Sequence, residues 1–264
     1  MTEKTIVSLS FDDGREDTYR MAFKIMKEFN LVGTIHVTTG YVDKTWENNS
    51  WQTAKGPMTI KQLKELSDNG FEISSHGDKH ITNKDDLLIS IKKMHEWNVI
   101  GDKVGFSIPC SRLSESDKIL YAKYLKTTNV VYMRGGRSKH CYSFLSKAWY
   151  VLYNATKLTL FYQLFNRYNC INPNDCRFNP YNLQSVVIRS GDKANVITEF
   201  IKGNEGSWII FMLHGIQNNN EDTYGKDPWC WDAIEFEKLC ANLRELVEKG
   251  EVRVQPILEV ILAH

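Results

Sequence analysis

The chain has 264 residues, 42% of them hydrophobic, enough to bury a full α/β core without disulfide or metal staples. Its 33 basic and 32 acidic residues leave a net charge of +1, so no overall field draws it to nucleic acid or anionic lipid, and sugars or other weakly charged small molecules suit it better. No apolar run reaches the roughly 18 residues of a transmembrane helix, and Met1-Thr-Glu-Lys leads straight into the first strand with no room for a signal peptide, so a cytosolic protein is expected.

The six cysteines (110, 141, 170, 176, 230, 240) are scattered without a Cys-x-x-Cys pair and read as reduced and structural. Cys170 and Cys176 are close enough to bridge only in an exported protein.

In chain order, Ile6, Val7, Leu9 and Phe11 read as a buried strand that ends abruptly at Asp12-Asp13-Gly14. Asp-Asp-Gly is an ordinary turn sequence. Two adjacent carboxylates also repel unless a proton or cation separates them, so the pair asks for a metal. A helix follows over Glu16 to Asn30, with Ala22, Ile25, Met26 and Phe29 at helical spacing, then a strand from Gly33 to Thr38. Residues 40–57 read as a polar loop bearing tryptophans. Thr59 caps the next helix, which Gly70 stops, and Phe71 to Ser75 is a third strand running into His76-Gly-Asp-Lys-His80. A helix over about Asp85 to Trp97, a strand from Val104 to Pro109, a helix from Ser114 to Leu125 and a strand from Asn129 to Met133 continue the alternation.

The rhythm breaks over about 134–180, an aromatic-rich insertion whose segment 149–168 has helical character but is too polar to span a bilayer. It reads as a lid, interface or substrate wall, or as extra core. Strand Leu183 to Arg189, helix Asp192 to Lys202, strand Ser207 to Leu213 with His214-Gly215 behind it, helix Ala233 to Lys249 and a short last strand at Val252 complete the pattern. Seven or eight strands alternating with helices predict a parallel β/α architecture, most economically a barrel, in one domain over 1–264.

In such a barrel the strands' C-terminal ends form the working face, and the candidate residues gather there. Asp12 and Asp13 follow the first strand, His76 and His80 the third, Pro109 and Cys110 the fourth, Arg134 the fifth and His214 the seventh. If the segment from His76 turns helically, its two imidazoles share a face and reach one ion. With Asp13 they make three ligands and leave positions open for water, as in a catalytic zinc site; zinc is the default divalent metal, and cobalt, manganese, nickel or iron suit the same set.

Ser-Phe-Asp12-Asp13-Gly, Ser75-His76-Gly-Asp-Lys-His80 and Leu213-His214-Gly resemble the first, second and fifth motifs of the polysaccharide deacetylase family, the NodB homology domain of carbohydrate esterase family 4. The resemblance covers roughly residues 5–250. It implies a distorted (β/α)7–8 barrel and removal of N-acetyl groups from amino sugars in a polysaccharide, oligosaccharide or glycan precursor. It further implies Asp13, His76 and His80 as metal ligands, Asp12 as general base and His214 as the acid that protonates the departing amine. The N–H of Cys110, after Pro109, would face the oxyanion, and Leu213 and Trp231 would border the acetyl methyl.

Two departures stand out. Family members often carry an arginine two residues before the third-motif proline, where this chain has Ser107; Arg134 or Arg112 can supply the charge from elsewhere. The aspartates of the fourth motif, which orient the acid histidine, are not evident, with Asp192 and Asp232 as stand-ins. Loop tryptophans Trp46, Trp51, Trp229 and above all Trp231 are candidates for stacking on sugar rings, or for plugging loops against the core. His36 reads as a core or rim residue. Two alternatives remain: a non-haem iron oxygenase, whose facial triad also takes two histidines and a carboxylate, and a non-catalytic sugar-binding descendant of the fold.

Overall fold

The computed structural model describes residues 4–47, 56–111, 113–221 and 224–264. Trp51 and Arg112 lie outside the described residues.

The buried run at the start of the chain forms β1 (Thr5–Phe11), followed by a π-helical turn (Thr18–Phe23) that continues as α1 (Lys24–Glu28). Then come β2 (Thr34–Val37), α2 (Thr39–Val42), α3 (Ile60–Asp68) and β3 (Glu72–Ser75). The expected cap of α3 is a full capping box: the Thr59 hydroxyl accepts from Gln62 N–H while the Gln62 side chain accepts from Thr59 N–H. The alternation goes on through α4 (Lys84–Glu96), β4 (Val104–Ser107), α5 (Glu115–Leu125) and β5 (Val130–Arg134). The insertion folds as two helices, α6 (Phe144–Thr156) and α7 (Thr159–Asn166). After it stand β6 (Val186–Val187), α8 (Ala194–Lys202), β7 (Trp208–Leu213) and a two-stranded flap, β8 (Ile216–Gln217) with β9 (Trp231–Asp232). The chain closes with α9 (Ala233–Glu248), β10 (Val252–Val254) and α10 (Ile257–Ala263).

The parallel sheet runs β5-β4-β3-β2-β1-β7-β6. Residues 183–187 close it into a barrel: Leu183 pairs with Arg134 on β5, and Val186 and Val187 pair with β7. The strand expected from Leu183 to Arg189 is therefore divided between two neighbours, which leaves only two regular residues.

Strand alternation sorts the side chains into two layers. Val7, Leu9, Phe11, Phe211 and Leu213 face the helices and join the main core. The inward layer is polar higher up and apolar at the floor. His36 lies between Ser10 Oγ (3.1 Å) and the Tyr132 hydroxyl (2.9 Å), and that hydroxyl donates to Glu72 at 2.6 Å. Gly105 makes room for this column, because a Cβ there would sit 1.9 Å from the Tyr132 ring. Trp208, Ile210 and Ile6 form the floor together with Ile257 and Val260 of α10, a helix the sequence reading did not anticipate.

The insertion serves as core and wall at once. Tyr153 and Tyr162 are buried, Tyr162 meeting Phe200 of α8 edge-on at 5.4 Å, while Phe144 and Val151 face outward. All six cysteines are free. Among the described residues no helix is long and apolar enough to cross a membrane.

Candidate active site

Asp12 extends the inward face of β1, and its main-chain N–H donates to the Leu213 carbonyl at 2.9 Å, which locks the ends of β1 and β7 together. Asp13 then adopts φ +81° and Gly14 φ +78°, so the chain turns sharply enough for consecutive carboxylates to face the same space.

Asp12 is held from the opposite wall. Arg134, with no exposed surface, points inward from β5 and its Nη2 donates to Asp12 Oδ1 and, at 2.7 Å, to the Ser107 hydroxyl. Ser107 and Arg134 are register partners on β4 and β5, so the charge expected at 107 arrives one strand over at the same height. His36, a buried core residue as read from the sequence, has its Nδ1 3.6 Å from Asp12 Oδ1, so its ring forms the underside of the carboxylate, and burial holds its pKa well below the usual histidine range.

Asp13 Oδ1 lies 3.6 Å from His76 Nε2 and 3.8 Å from His80 Nε2, and the two nitrogens are 3.1 Å apart. The turn carrying them is not helical, since Gly77 has φ +82° and His80 φ +54°. The imidazoles still converge, with ring centres 4.7 Å apart. His76 Nδ1 donates to the Ser107 carbonyl at 2.9 Å, because a carbonyl only accepts; that fixes the tautomer and leaves Nε2 as a lone-pair donor toward Asp13. Burial, and after it the charge of Asp12, pushes Asp13 up to about 8. Burial holds His76 and His80 down at about 3, helped by the charge of Arg134 on His76 and of His76 on His80. Two neutral imidazoles and a carboxyl that is costly to ionise alone are the donor set a divalent cation satisfies, so the residues fit a metal of the zinc, cobalt, manganese, nickel or iron kind.

Cys110, with φ +53°, brings its Sγ within 3.9 Å of His80 Nδ1, and Pro109 beside it is buried. His214 stands at the end of β7 with its carbonyl accepting from the Thr18 hydroxyl at 2.9 Å. Burial lowers it to about 4, opposed by the charge of Asp12, and its Nδ1 is buried with no hydrogen-bond partner among the described residues. Neither proposed stand-in reaches that nitrogen: Asp192 accepts from Tyr153 and from the Arg189 N–H, and Asp232 caps α9.

Two expectations, for Trp231 and Leu213, are corrected. Trp231 is 2% exposed, with its indole N–H donating to the Asp192 carbonyl at 2.9 Å, so its ring offers no face to a sugar. Trp229, two residues earlier, stands 5.0 Å from the His214 ring. Leu213 is also turned away into the helix-facing core, and the inward neighbour is Met212, whose Sδ lies 2.8 Å from Arg134 Nη1. A single-residue shift inverts the face in a strand, and period-two counting from Asp12's partner strand was the available signal.

One buried cluster was not anticipated. Arg15 pairs with Asp17 at 2.8 Å and Asp227 at 3.1 Å, beneath the His214-Gly215 turn. Gly215 is required there, since a Cβ would come 2.4 Å from Asp17 Oδ2.

The sequence pattern of polysaccharide deacetylases matches residues 1–100. No curated protein matches this sequence. Among solved structures, a family 4 acetyl xylan esterase from Clostridium thermocellum in complex with a cobalt ion is similar over 98% of this chain and 91% of its own, at 14% identity and a TM-score of 0.51. A mutant of a CE4 family pseudoenzyme with restored enzymatic activity is similar over 99% of this chain and 69% of its own, at 13% identity and a TM-score of 0.51. At such identities the likeness is one of fold. The chain thus shares with polysaccharide deacetylases the sequence pattern of its residues 1–100 and, over nearly its whole length, the fold of the family 4 esterase.

Proposed function

We propose that the protein is a metal-dependent hydrolase that removes N-acetyl groups from amino sugars in a polysaccharide, oligosaccharide or glycan precursor. The observation that carries this reading is the convergence of Asp13, His76 and His80 beside a second carboxylate, Asp12, that is already held by a cation of its own.

A divalent cation held by Asp13, His76 and His80, zinc by default, supplies Lewis-acid polarisation of the amide carbonyl and acidifies a bound water. Asp12 takes the proton from the attacking water, and Arg134 and Ser107 keep its carboxylate oriented for that transfer. His214 delivers a proton to the departing amine nitrogen, and the Cys110 N–H faces the developing oxyanion. Met212, with Pro109 beside Cys110, borders the acetyl methyl in place of Leu213 and Trp231. An iron oxygenase would leave both the Asp12–Arg134 pair and His214 without a task.

The test is acetate release from a panel of N-acetylated oligosaccharides and nucleotide sugars, together with elemental analysis. Asp12→Asn should keep the metal and release no acetate, and His80→Ala should lose the metal. Undiminished acetate release by Asp12→Asn, or full metal occupancy in His80→Ala, would overturn the assignment. A wild type that binds metal and releases no acyl group from any of them leaves the sugar-binding alternative standing.

A further inference from the structure

Between the insertion and the rim of the barrel lies a cavity of about 140 Å³, several waters' worth of space at about 30 Å³ each. Two arginines line it. Arg137, just beyond β5, lies 4.8 Å over the Phe165 ring and 5.6 Å over the Tyr150 ring, with its Nη2 donating to the Val187 carbonyl at 3.3 Å. Arg189, just beyond β6, lies 4.5 Å over the Trp229 ring. Among the described residues neither guanidinium forms an ion pair, and the Nε of each, like the Tyr162 hydroxyl, is buried with no hydrogen-bond partner.

Asp192 also lines the cavity, but its oxygens accept from the Tyr153 hydroxyl at 2.9 Å and the Arg189 main-chain N–H at 2.8 Å. Two guanidinium groups against one carboxylate leave the cavity net positive. Burial, with the charge of Arg189 added, holds Arg137 below the usual arginine range. Desolvated cations with unused N–H groups are costly, and an anion that takes those hydrogen bonds removes the cost. The Trp229 ring contacts both Arg189, at 4.5 Å, and His214, at 5.0 Å, so one aromatic ring links a lining residue of the cavity to the proposed acid.

We propose that this cavity is a subsite for an anionic group, phosphate or carboxylate, carried by the substrate next to its acylated amino sugar. The insertion then selects an acidic sugar or sugar phosphate over a neutral glycan. This specificity rests on the deacetylase reading, whereas anion binding does not.

The experiment therefore has a binding arm and a turnover arm. The full-length protein is titrated calorimetrically with inorganic phosphate and, separately, with glucuronate, and the two titrations tell the sources of negative charge apart. At least one should bind, and Arg137→Gln and Arg189→Gln should each weaken it about tenfold or more. In turnover, the same variants should raise KM for an N-acetylated sugar phosphate or uronic-acid-bearing sugar and leave KM for neutral N-acetylated oligosaccharides unchanged. Should a variant fail to fold, protection of Arg137 and Arg189 in the wild type from phenylglyoxal by the bound anion, read by mass spectrometry, replaces it. Binding of neither anion, binding indifferent to both substitutions, or no protection means that the arginines only stack on the insertion's rings, and overturns the proposal. Arginine-dependent anion binding without acetate release from any sugar upholds the subsite and overturns the deacetylase reading.

Discussion

The guanidinium of Arg134, at the end of β5, crosses the barrel interior to the carboxylate of Asp12 at the end of β1, and the Ser107 hydroxyl sits between β4 and that guanidinium. Both charges are buried, so each is tolerated only because of the other. Arg134→Met should destabilise the fold by about 3–5 kcal/mol, because Asp12 is left buried and unpaired. It should also slow turnover by about a hundredfold or more, through loss of a positioned base. The double variant Ser107→Arg/Arg134→Ser puts the charge back from β4 and should recover much of what Arg134→Ser loses. Wild-type turnover in Arg134→Met, measured beside a denaturant melt, would return Arg134 to a purely structural role.

Among the described residues no carboxylate hydrogen-bonds His214 Nδ1, and burial takes the ring to about 4. An acid must be protonated to act, and the protonated fraction of such a group falls tenfold per pH unit above its pKa. Turnover should therefore rise as pH is lowered from 7 toward 5, with metal kept saturating. In His214→Gln the residual rate should lose that slope. A pH-rate profile that is flat from 5 to 7 in the wild type would remove His214 from the proton delivery.

The cluster of Asp13, His76 and His80 makes a separate prediction about stability. Asp13 is raised from 3.8 to about 8, so without metal the native carboxyl keeps a proton that the unfolded chain releases, and stability from this group is lost as pH climbs through that range. His76 and His80 are lowered from 6.5 to about 3, so their contribution is complete above 6.5 and is lost as pH falls toward 3. Between 6.5 and 8 only the Asp13 effect remains, and protein stripped with a chelator should lose about 2 kcal/mol across it. A bound cation stabilises the ionised carboxylate and should abolish the loss. Melting temperatures at the two pH values, with chelator and with zinc, check this; identical pH dependence in both would mean that the carboxyl does not face the metal.

The sequence made the convergence of these residues legible because each follows an apolar run that reads as a strand, and strand ends in a β/α barrel share one rim. Asp12, Asp13, His76, His80 and Arg134 are brought together for that reason. Trp231 and Leu213 were misplaced because a rim position does not say which face a side chain takes. Trp231 lies in β9 under α9, where burial outweighs display, and Leu213 is one residue out of phase with the inward layer. β6 was overextended because its apolar run is shared between two neighbouring strands. The Arg15 cluster joins residues more than two hundred positions apart, and nothing local in Arg15, Asp17 or Asp227 signals it.

α10 was missed for a similar reason, since its seven residues are too few to show a helical period, and what fixes them is a contact at the barrel floor. Glu72 makes that contact. Its buried carboxylate accepts from the Thr34 hydroxyl (2.8 Å), the Ser74 hydroxyl (2.6 Å), the Tyr132 hydroxyl (2.6 Å) and the Leu258 main-chain N–H (2.8 Å). Burial raises its pKa, and these four donors oppose the rise. Glu72→Ala would orphan all four at once, at about 1–3 kcal/mol for each donor that water does not reach. Because one of them opens α10, the loss should be felt first at the C-terminus. Hydrogen exchange should show residues 257–263 losing protection ahead of β1 and β7, and the barrel's metal affinity should change little. Uniform loss of protection across the barrel would mean that α10 is not a separable plug but part of the same cooperative unit.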